Sequence, residues 1–191
     1  MSIDDEHERK SFVENGEFYP SALTFATLVL HPFATGEPAM PDFVIAEFNI
    51  AQCLAPLDDP IMADFMKYRD QVNKLAEDAP GFVWRLTDEG DTSTHFGEYD
   101  DPYLIVNLSV WESIDALHQY TYYTFHADMY RRRAEWFGKI GKTPMVLWWV
   151  ERGHHPTAAE GKARLDYLNA HGASPFAFTF KQRFPAPVTE A

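Results

Sequence analysis

The sequence predicts an α+β fold, in which a ferredoxin-like antiparallel sheet carries its helices on one face. Segments with the two-residue alternation of strands and segments with helical periodicity follow one another in the order β–α–β–β–α–β–α–β. The first four strands and two helices of that order fit the ferredoxin-like pattern. Helices that gather on one side of a mainly antiparallel sheet form an α+β sandwich.

The predicted elements follow from local signals along the chain. Strands are predicted at 43–51, 82–86, 92–96, 102–111, 142–150 and 176–180. The first helix begins at Pro60, after an aspartate that can cap it, and ends before Gly81. A second helical region covers 112–138, with a break near 121–124. Thr157, with Glu160 three residues on, forms a capping box for the last helix.

Three segments are expected along the 191 residues. Residues 1–41 form a partly flexible N-terminal extension, because they are polar at first and rich in proline near their end. Residues 42–184 form the folded domain, and 185–191 form a short polar tail. The extension is interpreted either as a variable addition or as a lid or partner-binding arm.

Composition narrows the classes of partner. The formal net charge of −13 argues against nucleic acid and against an anionic membrane, since both attract basic surfaces. No segment has the apolar length of a membrane span, and no secretory signal is visible. The single cysteine, Cys53, rules out an internal disulfide, and we interpret it as a small buried hydrophobe. We therefore expect a cytoplasmic protein.

The first and third strands each have one apolar face and one mixed face. We expect the apolar face, with Val44, Phe48 and Leu108 among its members, to lie against the helices. The mixed face carries both polar and large apolar side chains: Glu47, Asn49, Asn107 and Ser109, beside Phe43, Ile45, Tyr103, Ile105 and Trp111. This is too much apolar surface to leave in water. The mixed face predicts either a plain interface or a partly enclosed pocket with a few convergent polar groups.

Three side chains of the second helical region share one face, His126, Tyr130 and Arg133. They could form a general base beside a phenol and a guanidinium that binds an anion. Alternatively, the histidine is hydrogen-bonded where helix and sheet meet, and Arg133 pairs with a carboxylate. The residues leave both interpretations open. Arg132 falls on the packing face, so we expect it to be partly buried and paired.

Two histidines and three tryptophans were considered as ligands or pocket walls. His154 and His155 are adjacent, so their side chains diverge, and no further ligand stands at a recognisable spacing. No metal site is therefore predicted. Trp84, Trp148 and Trp149 are typical of core residues, although one of them could line a cavity. Neighbours on a strand point to opposite faces, so Trp148 and Trp149 should separate.

Several blocks of the chain resemble an uncharacterised bacterial family, domain of unknown function 3291. The resemblance covers residues 42–184, in the blocks AEFNIAQCLAPLDDP, APGFVWRL, VNLSVWESIDAL, HADMYRRRAEWF, LWWVERGHHPT and FAFTF. It implies membership of the dimeric α+β barrels, which are similar to the antibiotic-biosynthesis monooxygenases. In that superfamily two protomers pack sheet against sheet, and the ligand lies between sheet and helices or inside the barrel. Some members oxidise polyketide-like aromatics without a cofactor, and others bind haem.

The resemblance implies a homodimer that binds a small apolar or aromatic molecule. If the protein is an enzyme, the resemblance implies cofactor-independent, monooxygenase-like chemistry. The motif residues that it carries over are Trp84, Arg85, Asn107, Trp111, His126, Arg133, Trp136, Trp148 and His154. We predict His126 as the acid or base, Arg133 as the residue that stabilises an anion, and Asn107 as the residue that orients the substrate. The predicted ligand-binding residues are Glu47, Asn49, Trp84, Arg85, Ser109, Trp111, Tyr130, Trp148, Trp149 and His154. No cofactor is predicted; the alternatives are a haem protein and a non-catalytic ligand-binding or assembly module.

Overall fold

The computed structural model describes residues 42–87, 99 and 101–188. Its strands are β1 (Phe43–Gln52), β2 (Phe82–Arg85), β3 (Leu104–Trp111) and β4 (Met145–Glu151). Its α-helices are α1 (Ala63–Glu77), α2 (Ile114–Tyr123), α3 (Phe125–Arg132) and α4 (Ala158–His171). Short 3₁₀ turns at Pro60–Met62 and Arg133–Glu135 precede α1 and follow α3. The predicted extension at 1–41 and the predicted strand at 92–96 lie outside the described residues.

The sheet confirms the predicted fold class. Its four strands are antiparallel and run in the order β2–β3–β1–β4, which is the strand order of a ferredoxin-like sheet. On the central strands Glu47 pairs with Ser109, and Asn49 pairs with Asn107. Because side chains alternate along a strand, all four project from the same face.

The assignment of helices to faces was wrong for α1, α2 and α3. The apolar face of β1, β3 and β4 packs against α4, through Ala158, Leu165 and Leu168. The other three helices lie against the mixed face, where α1 and α2 contact the same cluster as Ile45 and Trp111. The large apolar side chains of the mixed face supply this contact, so both faces of the sheet are covered. The polar side chains of the mixed face are consequently placed beneath helices.

Helix α4 approaches the sheet closely because Gly161 has no side chain. A Cβ at Gly161 would lie 2.3 Å from the Phe48 ring, and Phe48 is fully buried. A partner's sheet could pack on this face only by displacing α4. The dimeric barrel implied by the resemblance therefore stays a prediction.

The predicted break in the second helical region is confirmed at Thr124. This residue is extended, with φ −117° and ψ −175°, and it ends α2 and begins α3. Its hydroxyl accepts a hydrogen bond from the backbone N–H of His126 at 3.2 Å. The cap fixes where α3 starts and therefore where the His126 side chain projects.

The predicted strand at 176–180 was wrong. Only Phe178 forms a bridge with β4, through two backbone hydrogen bonds to Leu147 of 2.8 and 2.9 Å. Local bridges at Ser174–Ala177 and Thr179–Gln182 interrupt the extended backbone on either side. The phenylalanines consequently do not share one side, because Phe178 is buried whereas Phe176 is exposed.

Candidate functional site

A polar strip crosses the mixed face of the sheet, beneath α1 to α3, between two apolar clusters. We define the polar strip as Glu47 and Asn49 of β1, Asn107 and Ser109 of β3, and Arg85 of β2. On one side lies the Trp111 cluster, whose buried members are Ile45, Ala76, Trp111, Ile114, Leu117, Leu147 and Phe178. On the other side lies the Trp136 cluster, whose buried members are Cys53, Met62, Ile105 and Trp136. A few polar groups framed by apolar walls are typical of a small-molecule site.

The carboxyl group of Glu47 is the most buried member of the strip and is only 9% exposed. Asn49 Nδ2 donates a hydrogen bond to its Oε1 at 2.8 Å, and Ser109 Oγ donates to its Oε2 at 3.4 Å. Trp111 Nε1 in turn donates to Ser109 Oγ at 3.0 Å. Burial raises the pKa of Glu47 to about 7, although the hydrogen bonds from Asn49 and Ser109 act in the opposite direction. This carboxyl group can therefore both lose and accept a proton near neutral pH.

Tyr120 of α2 lies against the Trp111 cluster and is coupled to Glu47. Its ring stacks on Trp111 with centroids 4.9 Å apart, and its hydroxyl donates to the Val72 carbonyl at 3.2 Å. Burial raises the pKa of Tyr120, and the negative charge of Glu47 raises it further. The phenol therefore stays protonated as a donor, beside a carboxyl group that changes charge.

His126 stands next to Tyr120, with ring centroids 4.9 Å apart. Its Nδ1 lies 3.0 Å from the Thr121 carbonyl, so Nδ1 carries the proton and Nε2 carries the lone pair. Burial lowers the pKa of His126, which keeps the imidazole neutral at pH 7. The Tyr130 ring lies 6.5 Å from the imidazole, measured between ring centroids. Two phenol rings crowd this imidazole, so it fits poorly as an axial ligand beneath a haem macrocycle.

Arg133 and Asn107, the other predicted catalytic residues, lie at exposed positions. Arg133 Nη1 donates to the Tyr130 carbonyl at 2.8 Å, and its guanidinium lies 4.3 Å from the centre of the Tyr130 ring. Asn107 Nδ2 is 3.5 Å from Asn49 Oδ1 at the outer end of the polar strip. The structure thus brings Asn107 to the strip, and it places Arg133 beyond Tyr130 rather than against the strip.

Trp84, Trp148 and His154 lie on the opposite side of the sheet, with α4. Trp148 Nε1 donates to Glu160 Oε1 at 3.1 Å, and His154 Nε2 lies 2.9 Å from Glu160 Oε2. Trp84 stacks on His155 with ring centroids 4.7 Å apart. These predicted ligand-binding residues are not brought together with Glu47, since they anchor the start of α4.

Trp148 and Trp149 do point to opposite faces, as the sequence predicts. Trp149 pairs with Ile45 on the mixed face, and its Nε1 donates to the Phe184 carbonyl at 2.8 Å. Arg132 is half-buried as expected, and it bonds to Asp64 at 2.9 Å and to Glu135 at 2.8 Å.

Sequence reasoning missed Tyr120 and Arg69. Tyr120 follows Leu117 by three residues, and Arg69 follows Phe65 by four, so helical spacing already placed each on an inward face. The periodicity of the apolar side chains does not by itself single out either residue. The signal that was available is a polar group within a buried helix face.

A groove of about 590 Å³ lies beside the site. Its floor is the turn Ala79–Gly81, and its wall is α2, including Ala116, Gln119 and Tyr120. Tyr120, which lines this groove, also stacks on Trp111 of the Trp111 cluster. In the described part of the chain, no three His, Cys, Asp or Glu side chains gather as metal ligands, and no helix could span a membrane.

The fold is that of an α+β protein whose polar strip lies beneath helices α1 to α3. Residues 44–191 match the family model described as domain of unknown function DUF3291, and the chain belongs to that family. No curated protein matches the chain.

Solved structures are similar only distantly. A protein of unknown function from Nitrosomonas europaea is 12% identical over 62% of this chain and 97% of its own, with a TM-score of 0.39. A conserved protein from Methanosarcina mazei is 12% identical over 58% and 93%, with a TM-score of 0.40. A candidate antibiotic biosynthesis monooxygenase from Nitrosomonas europaea is 17% identical over 61% and 95%, with a TM-score of 0.38. We draw no functional conclusion from these similarities.

Proposed function

We propose that this protein is an enzyme that binds a small, largely apolar or aromatic molecule over the polar strip and transfers a proton through Glu47. The observation that carries the proposal is a buried carboxyl group whose pKa is raised to about 7. A general acid or base works best when its pKa lies near the working pH. Burying a glutamate costs stability whenever its carboxyl group is charged, so a glutamate with no role in proton transfer gains nothing from such burial.

The chemistry that follows is abstraction of a proton from a carbon or oxygen acid. Ionised Glu47 takes the proton, and Asn49 and Ser109 hold its two oxygens in place at 2.8 and 3.4 Å. The Trp111 and Trp136 clusters would contact the apolar body of the substrate. In the cofactor-independent oxygenation that the family resemblance implies, the resulting anion gives its electrons directly to molecular oxygen.

The predicted role of His126 as acid or base is retained as a second proton-transfer group. Its neutral ring and its position beside Tyr120 at 4.9 Å support that role. We assign Asn107 to substrate orientation at the outer end of the polar strip. Arg133 is exposed beyond Tyr130, where it can stabilise an anion only outside the strip.

The experiment is oxygen uptake with a panel of hydroxyaromatic and β-dicarbonyl compounds, comparing the wild type with Glu47→Gln. Glutamine keeps the shape and the hydrogen bond from Asn49 but cannot take a proton, so turnover should fall by about a hundredfold or more. Glu151→Gln removes an exposed carboxylate from the same face and should leave turnover unchanged. The proposal fails if Glu47→Gln turns over at the wild-type rate, or if the wild type accepts no member of the panel.

The homodimer implied by the resemblance is a separate proposal. Because α4 covers the apolar face of the sheet, we propose that the contact between copies uses another surface. Light scattering should then give twice the 21.9 kDa of one chain for the intact protein. A mass of one chain at all concentrations would contradict it.

A further inference from the structure

Two arginines on the mixed-face side of the sheet, Arg69 of α1 and Arg85 of β2, have hydrogen-bond donors that bind no other group of the described chain. The side chains of Arg69 and Arg85 are only 14% and 18% exposed. Arg69 Nε donates to Asp70 Oδ1 at 3.0 Å, and Arg85 Nε donates to Glu77 Oε1 at 2.8 Å. Within the described residues, neither Nη group of either arginine has a hydrogen-bond partner. A guanidinium has five N–H donors and stays charged, so four donors on each arginine remain available.

Arg85 belongs to the polar strip, and Arg69 projects toward it. Arg85 pairs with Ser109, which pairs with Glu47, so the three side chains project from one face of neighbouring strands. Arg69 lies four residues after Phe65, which packs in the Trp136 cluster. It also lies seven residues before Ala76, a buried member of the Trp111 cluster. Residues at these spacings share one helix face, so Arg69 projects toward the gap between the two clusters.

Both arginines lie near Tyr120. The Tyr120 hydroxyl donates to the carbonyl of Val72, which lies three residues after Arg69 on α1. Burial raises the pKa of Tyr120, and the positive charge of Arg85 acts in the opposite direction. A ligand beside Tyr120 can therefore approach both guanidinium groups.

The carboxylates that contact these arginines do not use the guanidinium forks. Asp70 and Glu77 each contact only Nε, and both are exposed, so water screens the pairs. A pair of parallel Nη–H donors matches the two oxygens of a carboxylate or a phosphate, which binds bidentately. In a chain with a net charge of −13, two enclosed cations with free forks predict an anionic ligand.

We propose that Arg69 and Arg85 bind the oxyanion group, a carboxylate or a phosphate, of the molecule on which Glu47 acts. The substrate is then an organic acid with a short apolar body. Two strand spacings separate Arg85 from Glu47, or roughly 10 Å, and the side chains fill part of that distance. The inference rests on the proposed function for the role of Glu47, but the anion site itself does not require Glu47 to react.

The test is calorimetric titration of the full chain with benzoate, phenyl phosphate and neutral benzamide. At least one of the two anions should bind about tenfold or more tightly than benzamide, and the preferred anion distinguishes carboxylate from phosphate. Arg69→Gln and Arg85→Gln should each weaken that anion by about tenfold and leave benzamide unchanged. Arg131→Gln is the matched control, since Arg131 is exposed and pairs with Asp128 of its own helix, and it should bind as the wild type does.

Two further variants keep the outcome interpretable. Arg85→Lys keeps the charge but not the fork, so it should bind the anion with intermediate affinity, and circular dichroism confirms that each variant is folded. Glu47→Gln should bind the anion as tightly as the wild type while turnover is lost, which separates the failure of one proposal from failure of the other. The anion site is overturned if neither anion binds, if benzamide binds equally well, or if either glutamine variant at positions 69 and 85 binds like the wild type.

Discussion

Replacing Glu47 with glutamine should change how the stability of the protein depends on pH. In the folded chain burial raises the pKa of Glu47 from its ordinary 4.5 to about 7. Between those two values the folded protein holds a proton at this site that the unfolded chain has released. The free energy of unfolding therefore contains a contribution that is complete below about pH 4.5 and is lost as the pH rises to about 7.

The size of this contribution follows from the two pKa values. Each pKa unit corresponds to about 1.4 kcal/mol, so the interval amounts to roughly 3 kcal/mol of unfolding free energy. Glutamine keeps the hydrogen bond from Asn49 and does not titrate. His126 and the surface carboxylates titrate in both proteins, so their effects cancel in the difference between wild type and variant.

Urea denaturation at several pH values from 4 to 8 measures the difference. The wild type should lose stability relative to Glu47→Gln by roughly 3 kcal/mol across that range. Glu151→Gln, which alters an exposed carboxylate, should run parallel to the wild type. If the curves for Glu47→Gln and the wild type are also parallel, the carboxyl group titrates normally, and the argument from burial is wrong.

Two other substitutions test how the helices meet the sheet. Gly161→Ala would place a Cβ 2.3 Å from the Phe48 ring, so urea denaturation should show that the free energy of unfolding falls by about 1 to 3 kcal/mol. Gly141→Ala is the control and should leave the stability unchanged, because no atom lies within 4 Å of the added Cβ. An unchanged Gly161→Ala would mean that α4 does not sit on the apolar face. Tyr120→Phe removes the bond to the Val72 carbonyl and should cost about 1 kcal/mol by the same measurement. Equal stability of Tyr120→Phe and the wild type would contradict that bond.

The alternation of β1 and β3 was enough to predict which polar residues share a face. Glu47 and Asn49 alternate with apolar neighbours, and Asn107 and Ser109 do the same on the other strand. What the sequence did not reveal is the register that sets Glu47 against Ser109, since register depends on pairing between distant segments.

The burial of Glu47 was unpredictable for a related reason. The apolar face seemed the natural partner of every helix, yet α4 alone covers it. Which face a helix takes is decided by chain connections and by packing across the whole domain, and not by the strand's own pattern. Because α1 to α3 cover the mixed face, the carboxyl group of Glu47 is enclosed and becomes a candidate for proton transfer.

The position of Arg133 illustrates the limit of periodicity. Helical spacing from His126 placed both on one face, but α3 ends at Arg132 and the chain tightens into a 3₁₀ turn. Extrapolation by 3.6 residues per turn fails beyond a helix end. The guanidinium then bonds to the Tyr130 carbonyl at the surface.

The most direct test of the account is the ionisation of Glu47 itself. Infrared difference spectra between the wild type and Glu47→Gln isolate the carbonyl stretch of this one protonated carboxyl group as the pH is varied. The account predicts that the band disappears with a midpoint near pH 7, because burial raises the pKa of Glu47 to about 7. A midpoint near 4.5, the ordinary pKa of a glutamate, would contradict it and would remove the basis for proton transfer at this site.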